Sequence, residues 1–125
     1  MTTASWPSEW LRGVLGACVL RVIADGPTYG YAISAALEDA GIGAVKGGTL
    51  YPLLTRFESA GWVQIEWRAG DGGPGRKYYT LTPAGQAEQA RQAREWGEFS
   101  RVTAGFVAPA ANLATSSDQP TGARA

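Results

Sequence analysis

The side chains of this sequence best equipped for chemistry are polar rather than nucleophilic. Thr49, Pro52, Thr55, Arg56 and Ser59 recur at spacings of three and four within G-T-L-Y-P-L-L-T-R-F-E-S-A-G-W, which puts them on one helix face. Downstream, Arg68, Arg76 and Lys77 bracket a run of glycines. Hydroxyls and guanidinium groups so placed form hydrogen bonds and ion pairs with another polar surface brought close to them. Covalent catalysis has little to build on. The chain contains no histidine, no G-x-x-x-x-G-K-[ST] phosphate loop and no nucleophile with a base beside it. An enzyme is therefore not expected, nor a cofactor, nor a metal site. The single cysteine, Cys18, lies in an apolar run and reads as a small buried hydrophobe.

Composition narrows the partners. A formal net charge of zero argues against a protein that coats nucleic acid indiscriminately, but allows a local basic patch. Between residues 41 and 82 lie Lys46, Arg56, Arg68, Arg76 and Lys77 against Glu58, Glu66 and Asp71. With 125 residues and 45% hydrophobic content, the chain can bury one core, so one domain plus an extension is expected. The first residues lack the basic start and apolar middle of a leader, and no run approaches the ~18 apolar residues of a membrane span. A soluble cytoplasmic protein without a membrane partner is the expectation.

The elements that must position the polar residues follow from punctuation and periodicity. Ser8 is the expected cap of a first helix from about Glu9 to Ala24, closed by Asp25-Gly26-Pro27. Its apolar positions cover more than one side, and Gly13, Gly16 and Ala17 leave a bare patch, for close approach of another helix or for a guest. Thr28 is the expected cap of a second helix through Asp39, with Tyr31, Ile33, Ala35, Ala36 and Leu37 inward and Gly41 as its stop. In the third helix, Pro52 is expected in the first turn with Thr49 as N-cap, and Gly61 follows its end. Leu50, Leu53, Leu54 and Phe57 make its buried stripe. Trp62 to Arg68 then alternates as a strand, with Val63, Ile65 and Trp67 on one side, and Lys77 to Leu81 returns. The link Ala69 to Gly75, with four glycines, an aspartate and a proline, is too long for a tight turn.

Thr82-Pro83 opens a fourth helix that reaches about Val107. Its second half sets Trp96, Phe99, Val102, Thr103 and Phe106 at spacings of three and four. The core is already supplied by the earlier elements, so this stripe needs an outside partner, and a second copy of the chain is the simplest. Residues 108–125 are small, polar and turn-rich and read as a disordered tail. The fold expected is mainly α with a small β-hairpin. It comprises a winged helix-turn-helix over residues 8–82, a long C-terminal dimerisation helix over 83–107 and the tail.

Taken together, L-R-G-V-L-G-A-C-V-L, Y-G-Y-A-I, G-T-L-Y-P-L-L-T-R-F-E-S-A-G-W, G-R-K-Y-Y-T-L-T and P-A-G, in this order from Leu11 to Phe106, resemble the PadR family of bacterial transcriptional regulators. The segment A-R-E-W-G-E-F-S-R-V is similar to the small multidrug-responsive members with a single C-terminal helix. The resemblance implies a winged-helix homodimer, held by the last helix against the first and last helices of its mate. It further implies repression of a promoter, relieved by a ligand that is often a flat aromatic compound, and Trp96 matches the tryptophan between whose pair that guest lies.

On this reading Thr49, Tyr51, Thr55 and Arg56, with Pro52 on the same surface, meet a double-stranded DNA operator in the major groove. For Thr49 a mere helix cap is the competing role. Lys46, Arg76 and Lys77 meet phosphates, with a solvated strand position as the alternative for Lys77. Trp96, Phe99, Trp10, Gly13 and Ala17 are the candidates for binding a small aromatic ligand. A plain dimer core competes with this for Trp96 and is favoured for Phe99. Trp6 and Trp10 have helix-capping contacts as their alternative. A winged-helix module that binds other proteins instead of DNA is the rival function, and zero net charge suits it.

Overall fold

The computed structural model describes residues 6–70 and 72–109. Its elements are α1 (Ser8–Ala24), α2 (Gly30–Asp39), α3 (Gly47–Ser59), β1 (Val63–Gly70), β2 (Gly73–Leu81) and α4 (Pro83–Val107). The chain divides between Arg91 and Gln92, inside α4, into two compact units.

The first unit is built on the apolar spacing of its helices. Leu50, Leu53, Leu54 and Phe57 of α3 are all buried, as are Leu15, Val19, Leu20 and Ile23 of α1 and Ile33 and Leu37 of α2. Each such side chain contributes about 1.5–3 kcal/mol of burial, enough for three short helices to hold one another. Gly16 has the close-approach role: a Cβ there would stand 3.8 Å from the Phe57 ring and 3.9 Å from Leu53, whereas one at Gly13 would meet nothing within 4 Å. Burial raises the Cys18 thiol above its ordinary pKa, which keeps it protonated and weakly nucleophilic.

Three helix starts differ from expectation. Ser8 is the first residue of α1 rather than its cap; Pro7 holds the cap position, its carbonyl accepting from the Trp10 and Leu11 amides at 3.0 and 3.2 Å. Thr28 caps nothing and instead exchanges backbone bonds with Tyr79 at 3.1 and 2.7 Å, a one-residue third strand beside β2. Two ladder bonds beside the buried Tyr79 outweigh one side-chain cap, so α2 begins only at Gly30, after an extended Tyr29. In α3 the cap position belongs to Lys46, whose carbonyl accepts from both Thr49 and Leu50 at 2.9 Å. Thr49 is thus inside the helix, and Pro52 lies in its second turn rather than its first. The proline forfeits one amide bond to Gly48, whose residue is exposed, so water can serve the carbonyl.

The hairpin pairs Val63↔Leu81 through Arg68↔Arg76, shifts register, and closes at Gly70↔Gly73. The link is therefore shorter than Ala69 to Gly75: the strands run through its glycines and leave only positions 71 and 72 between them. Gly72, at φ 68°, supplies the left-handed backbone that so short a connection requires. The inward face of β1 gives out along its length, from Val63 buried to Trp67 at 68% exposure, because the strand outruns the core. Tyr31, expected inward, is also exposed. Gly41 and Gly61 stop their helices at φ 86° and 81° as expected.

Thr82 does cap α4. Its hydroxyl oxygen accepts the Gly85 amide at 3.0 Å and donates to the Gly61 carbonyl at 2.6 Å, tying this helix start to the end of α3. In the second unit, Trp96 and Phe99 pack edge to face, 5.5 Å apart at 84°. Phe99, Val102 and Phe106 are exposed, and an Arg101–Glu98 ion pair of 2.7 Å lies on the same helix. Of the expected tail, residues 110–125 lie outside the described residues. No helix of the described residues is long and apolar enough to cross a membrane. Three packed helices followed by a two-stranded wing make this a winged helix-turn-helix, with a long C-terminal helix after it.

Candidate nucleic-acid interface

Burial of the leucine stripe turns the remaining residues of α3 outward. Thr49, Tyr51, Pro52, Thr55 and Arg56 are all exposed, and Lys46 stands exposed at the helix start. The Thr55 hydroxyl donates to the Tyr51 carbonyl one turn back at 3.0 Å, which orients its oxygen and leaves lone pairs free to accept. Thr49, relieved of capping, is exposed three residues after Lys46.

Two clefts flank the N-terminal half of α3. One, about 330 Å³, lies towards α1 and is lined by Ser8, Leu11, Arg12, Leu15, Lys46 and Thr49 among others. The other, about 250 Å³, lies towards the wing and is lined by Tyr29, Gly30, Tyr31, Tyr51, Arg76, Lys77 and Tyr79. Thr49 and Tyr51 face different clefts because two helical residues differ by roughly 200° around the axis. Each cleft carries cations, so the exposed ridge of α3 runs between two basic flanks.

Gly30 seats α3 against α2. A Cβ at Gly30 would overlap the Tyr51 hydroxyl and lie 2.7 Å from the ring carbon bearing it, so only glycine lets that ring lie on the first turn of α2. Wing and helix are joined at the same place, for the Arg76 guanidinium lies 4.2 Å over the Tyr29 ring. Lys77, by contrast, stands 6.0 Å from the centre of the Tyr79 ring, at the edge of useful cation–π range. Burial first, then the proximity of Tyr51 and Glu58, raises the Tyr79 phenol above its ordinary pKa, so it stays neutral.

The structure therefore brings Tyr51, Arg76 and Lys77 to one cleft and Lys46 and Thr49 to the other, with Pro52, Thr55 and Arg56 on the exposed ridge. Trp96 and Phe99 touch each other. Trp10 is exposed on α1, one helix face with Gly13 and Ala17, and the Trp6 indole donates to the Gly41 carbonyl at 2.9 Å beyond the end of α2. Trp6 thus takes the helix-end role. Sequence reasoning missed Arg12, Tyr29 and Gly30. The signal for the last two was the Y-G-Y run, whose central glycine opens a helix where glycine has no propensity reason to be.

Substituting Gly30 by alanine displaces the Tyr51 ring rather than unfolding the chain, because that ring is 50% exposed and has room to turn. An off-rotamer tyrosine costs about 0.5–1.5 kcal/mol, and alanine returns up to ~1 kcal/mol of helix propensity. Urea unfolding of Gly30→Ala is therefore expected within about 1 kcal/mol of the parent chain. The largest amide and ring shifts in its NMR spectrum should centre on Tyr51.

Comparison with known proteins agrees with this fold. The protein-family model for the PadR-like family of transcriptional regulators matches residues 19–91, which take in the end of α1, all of α2, α3 and the hairpin, and the start of α4. Transcriptional regulator Rv3488 of Mycobacterium tuberculosis is 34% identical over 97 residues, which cover 78% of this chain and 89% of that protein. A PadR family regulator from Eggerthella lenta superposes with a TM-score of 0.72 at 34% identity, over 80% of this chain and 87% of that one. A PadR-like regulator from Bacillus cereus gives 0.70 at 32% identity, over 79% and 96%. Members of this family regulate transcription and are not enzymes. With the winged helix and these relatives in agreement, the chain belongs to the PadR family of transcriptional regulators.

Proposed function

We propose that this regulator binds operator DNA as a homodimer, represses the promoter it occupies, and is released by a small planar aromatic ligand. The observation that carries the DNA reading is the ridge of α3, polar and exposed from Thr49 to Arg56 between two basic clefts. Thr49, Tyr51, Thr55 and Arg56 meet base edges and neighbouring phosphates in the major groove, with Pro52 in apolar contact. Lys46, Arg76 and Lys77 meet backbone phosphates on either side.

A second copy is supported by the exposed stripe Phe99, Val102 and Phe106 on α4, since apolar area at such spacing is stabilised by burial against a like surface. The Trp96–Phe99 pair supplies the ring faces on which a flat guest stacks, and Trp10, Gly13 and Ala17 of α1 offer a second aromatic and two positions of little bulk. Release is a population shift: the guest must bind more tightly to a dimer whose two α3 ridges no longer match successive major grooves about 34 Å apart.

A band-shift experiment with the duplex upstream of the protein's own gene, at low salt, tests the DNA reading. A discrete complex containing two chains, dispersed by a planar aromatic compound that also quenches Trp96 fluorescence, is expected. Absence of any complex, or a complex with one chain indifferent to such compounds, would contradict it.

A further inference from the structure

Arg68 and Arg76 are register partners on β1 and β2 and project from the same face of the hairpin. Like charges directly opposite each other on adjacent strands repel, and a wing has no folding need for them. The structure nonetheless holds both guanidiniums in place with two tyrosines. Arg68 lies 4.3 Å over the Tyr78 ring and Arg76 lies 4.2 Å over the Tyr29 ring. The two rings are themselves 5.2 Å apart, tilted at 59°. The four side chains thus form one series, Arg68–Tyr78–Tyr29–Arg76, which leaves the wing at Tyr29, the residue before α2, and returns to it at Arg76.

Stacking occupies the faces of a guanidinium and leaves its rim of N–H donors pointing outward. For Arg68 the Glu66 carboxylate takes part of that rim at 3.4 Å, a long contact between side chains 42% and 60% exposed and therefore readily exchanged for a stronger acceptor. For Arg76 no hydrogen bond or ion pair is found among the described residues, although it lines the same cleft as Tyr51 of α3. Two stacked guanidiniums on one face of the wing, that of Arg76 in the cleft Tyr51 of α3 also lines, match an anionic oxygen pair on the flank of whatever α3 enters.

We propose that Arg68 and Arg76 act together as a clamp on the phosphate backbone of DNA, with Tyr29 and Tyr78 as the positioning residues that set the clamp before DNA arrives. This rests on the DNA reading above and adds to it Arg68, a residue on the strand that leads away from α3, and two tyrosines that need touch no DNA themselves. Pre-stacking also means that two long side chains surrender less freedom on binding, which favours affinity without new contacts.

Phosphate contacts are blind to sequence, so the test needs no operator: fluorescence anisotropy with a labelled duplex of mixed sequence, over a range of salt. Arg68→Gln, an exposed change without consequence for the core, should flatten the slope of log affinity against log salt by about 0.9 for each phosphate no longer neutralised, a roughly three- to fourfold change over a fourfold range of salt. Tyr29→Leu should flatten it similarly through loss of the ring beneath Arg76, and Tyr29→Phe should restore the parent slope. Parent-like slopes for both Arg68→Gln and Tyr29→Leu would overturn the clamp while leaving DNA binding intact. Should Tyr29→Leu unfold, Tyr78→Phe retaining the parent slope and Arg68→Gln losing it supports the clamp, and an unaltered Arg68→Gln slope refutes it. No binding by the parent chain would overturn the clamp and the DNA reading together.

Discussion

Gly85→Ala is expected to lose about 2–3 kcal/mol of folding stability, although the change adds one methyl group and puts a better helix former into a helix. Gly85 is buried in the first turn of α4, and a Cβ there would overlap the carbonyl oxygen of Trp62 and come within 2.8 Å of its carbonyl carbon. That carbonyl cannot turn aside, because it accepts the Thr82 amide at 3.0 Å, and Thr82 is in turn the cap that holds Gly85. Relief must come from moving the start of α4, which breaks the cap, or from moving the entry to β1, which disturbs the packing of Trp62 on Phe57 at 5.6 Å. The propensity gain of up to ~1 kcal/mol does not offset this. Urea denaturation followed by far-ultraviolet circular dichroism should show the midpoint fall. Gly97→Ala is the informative contrast: its Cβ meets nothing within 4 Å, so alanine there should be neutral or stabilising.

Leu54→Ala is expected to lose about 2–5 kcal/mol, the range for deleting a buried leucine and leaving a cavity. Leu54 is 1% exposed and lies in the stripe by which α3 rests on the body of the domain. Out of a total stability of about 5–15 kcal/mol, this is a large share. The urea midpoint should drop with an unchanged slope, since the surface exposed on unfolding is nearly the same. Leu54→Met, which keeps the volume, should cost less than about 1.5 kcal/mol. If Leu54→Ala proves as stable as the parent, α3 is not held by its leucine stripe, and the orientation of its polar ridge loses its basis.

How much of the fold is legible in the residues divides along a physical line. Periodic burial is legible: the Leu50, Leu53, Leu54 and Phe57 spacing alone places α3 and hence the exposed positions of Thr55 and Arg56. Glycine stops are legible too, because the positive φ at Gly41 and Gly61 is a local requirement. Thr82 announces its cap through the proline behind it. Helix starts at Ser8, Thr28 and Thr49 are not legible, because a capping residue competes with longer-range offers that sequence order hides. Thr28 takes two bonds from Tyr79, fifty-one positions away, in preference to a local cap.

The candidate site shows the same division. The ridge of α3 can be read from one helix, but the seat of Tyr51 on Gly30 and the stacking of Arg76 on Tyr29 join segments that meet only after folding. The wing misleads for a related reason. Glycines between Ala69 and Gly75 suggest looseness, yet a chain without side chains can also continue a ladder through a register shift, as Gly70 and Gly73 do. Periodicity places Tyr31 and Trp67 inward, but it fixes a face and not where the core ends.

That the α3 ridge and the wing root together form a DNA-reading surface is tested most directly by the Arg56→Ala, Arg76→Ala double variant. Both side chains are exposed and the Arg76–Tyr29 stacking is worth only about 0.5–1 kcal/mol, so the variant should stay folded and melt close to the parent. Its affinity for the duplex upstream of its own gene should fall, and its salt dependence should flatten by about 0.9 for each phosphate left without its cation. Affinity and salt slope identical to the parent's would contradict that surface and favour a winged helix that binds other proteins.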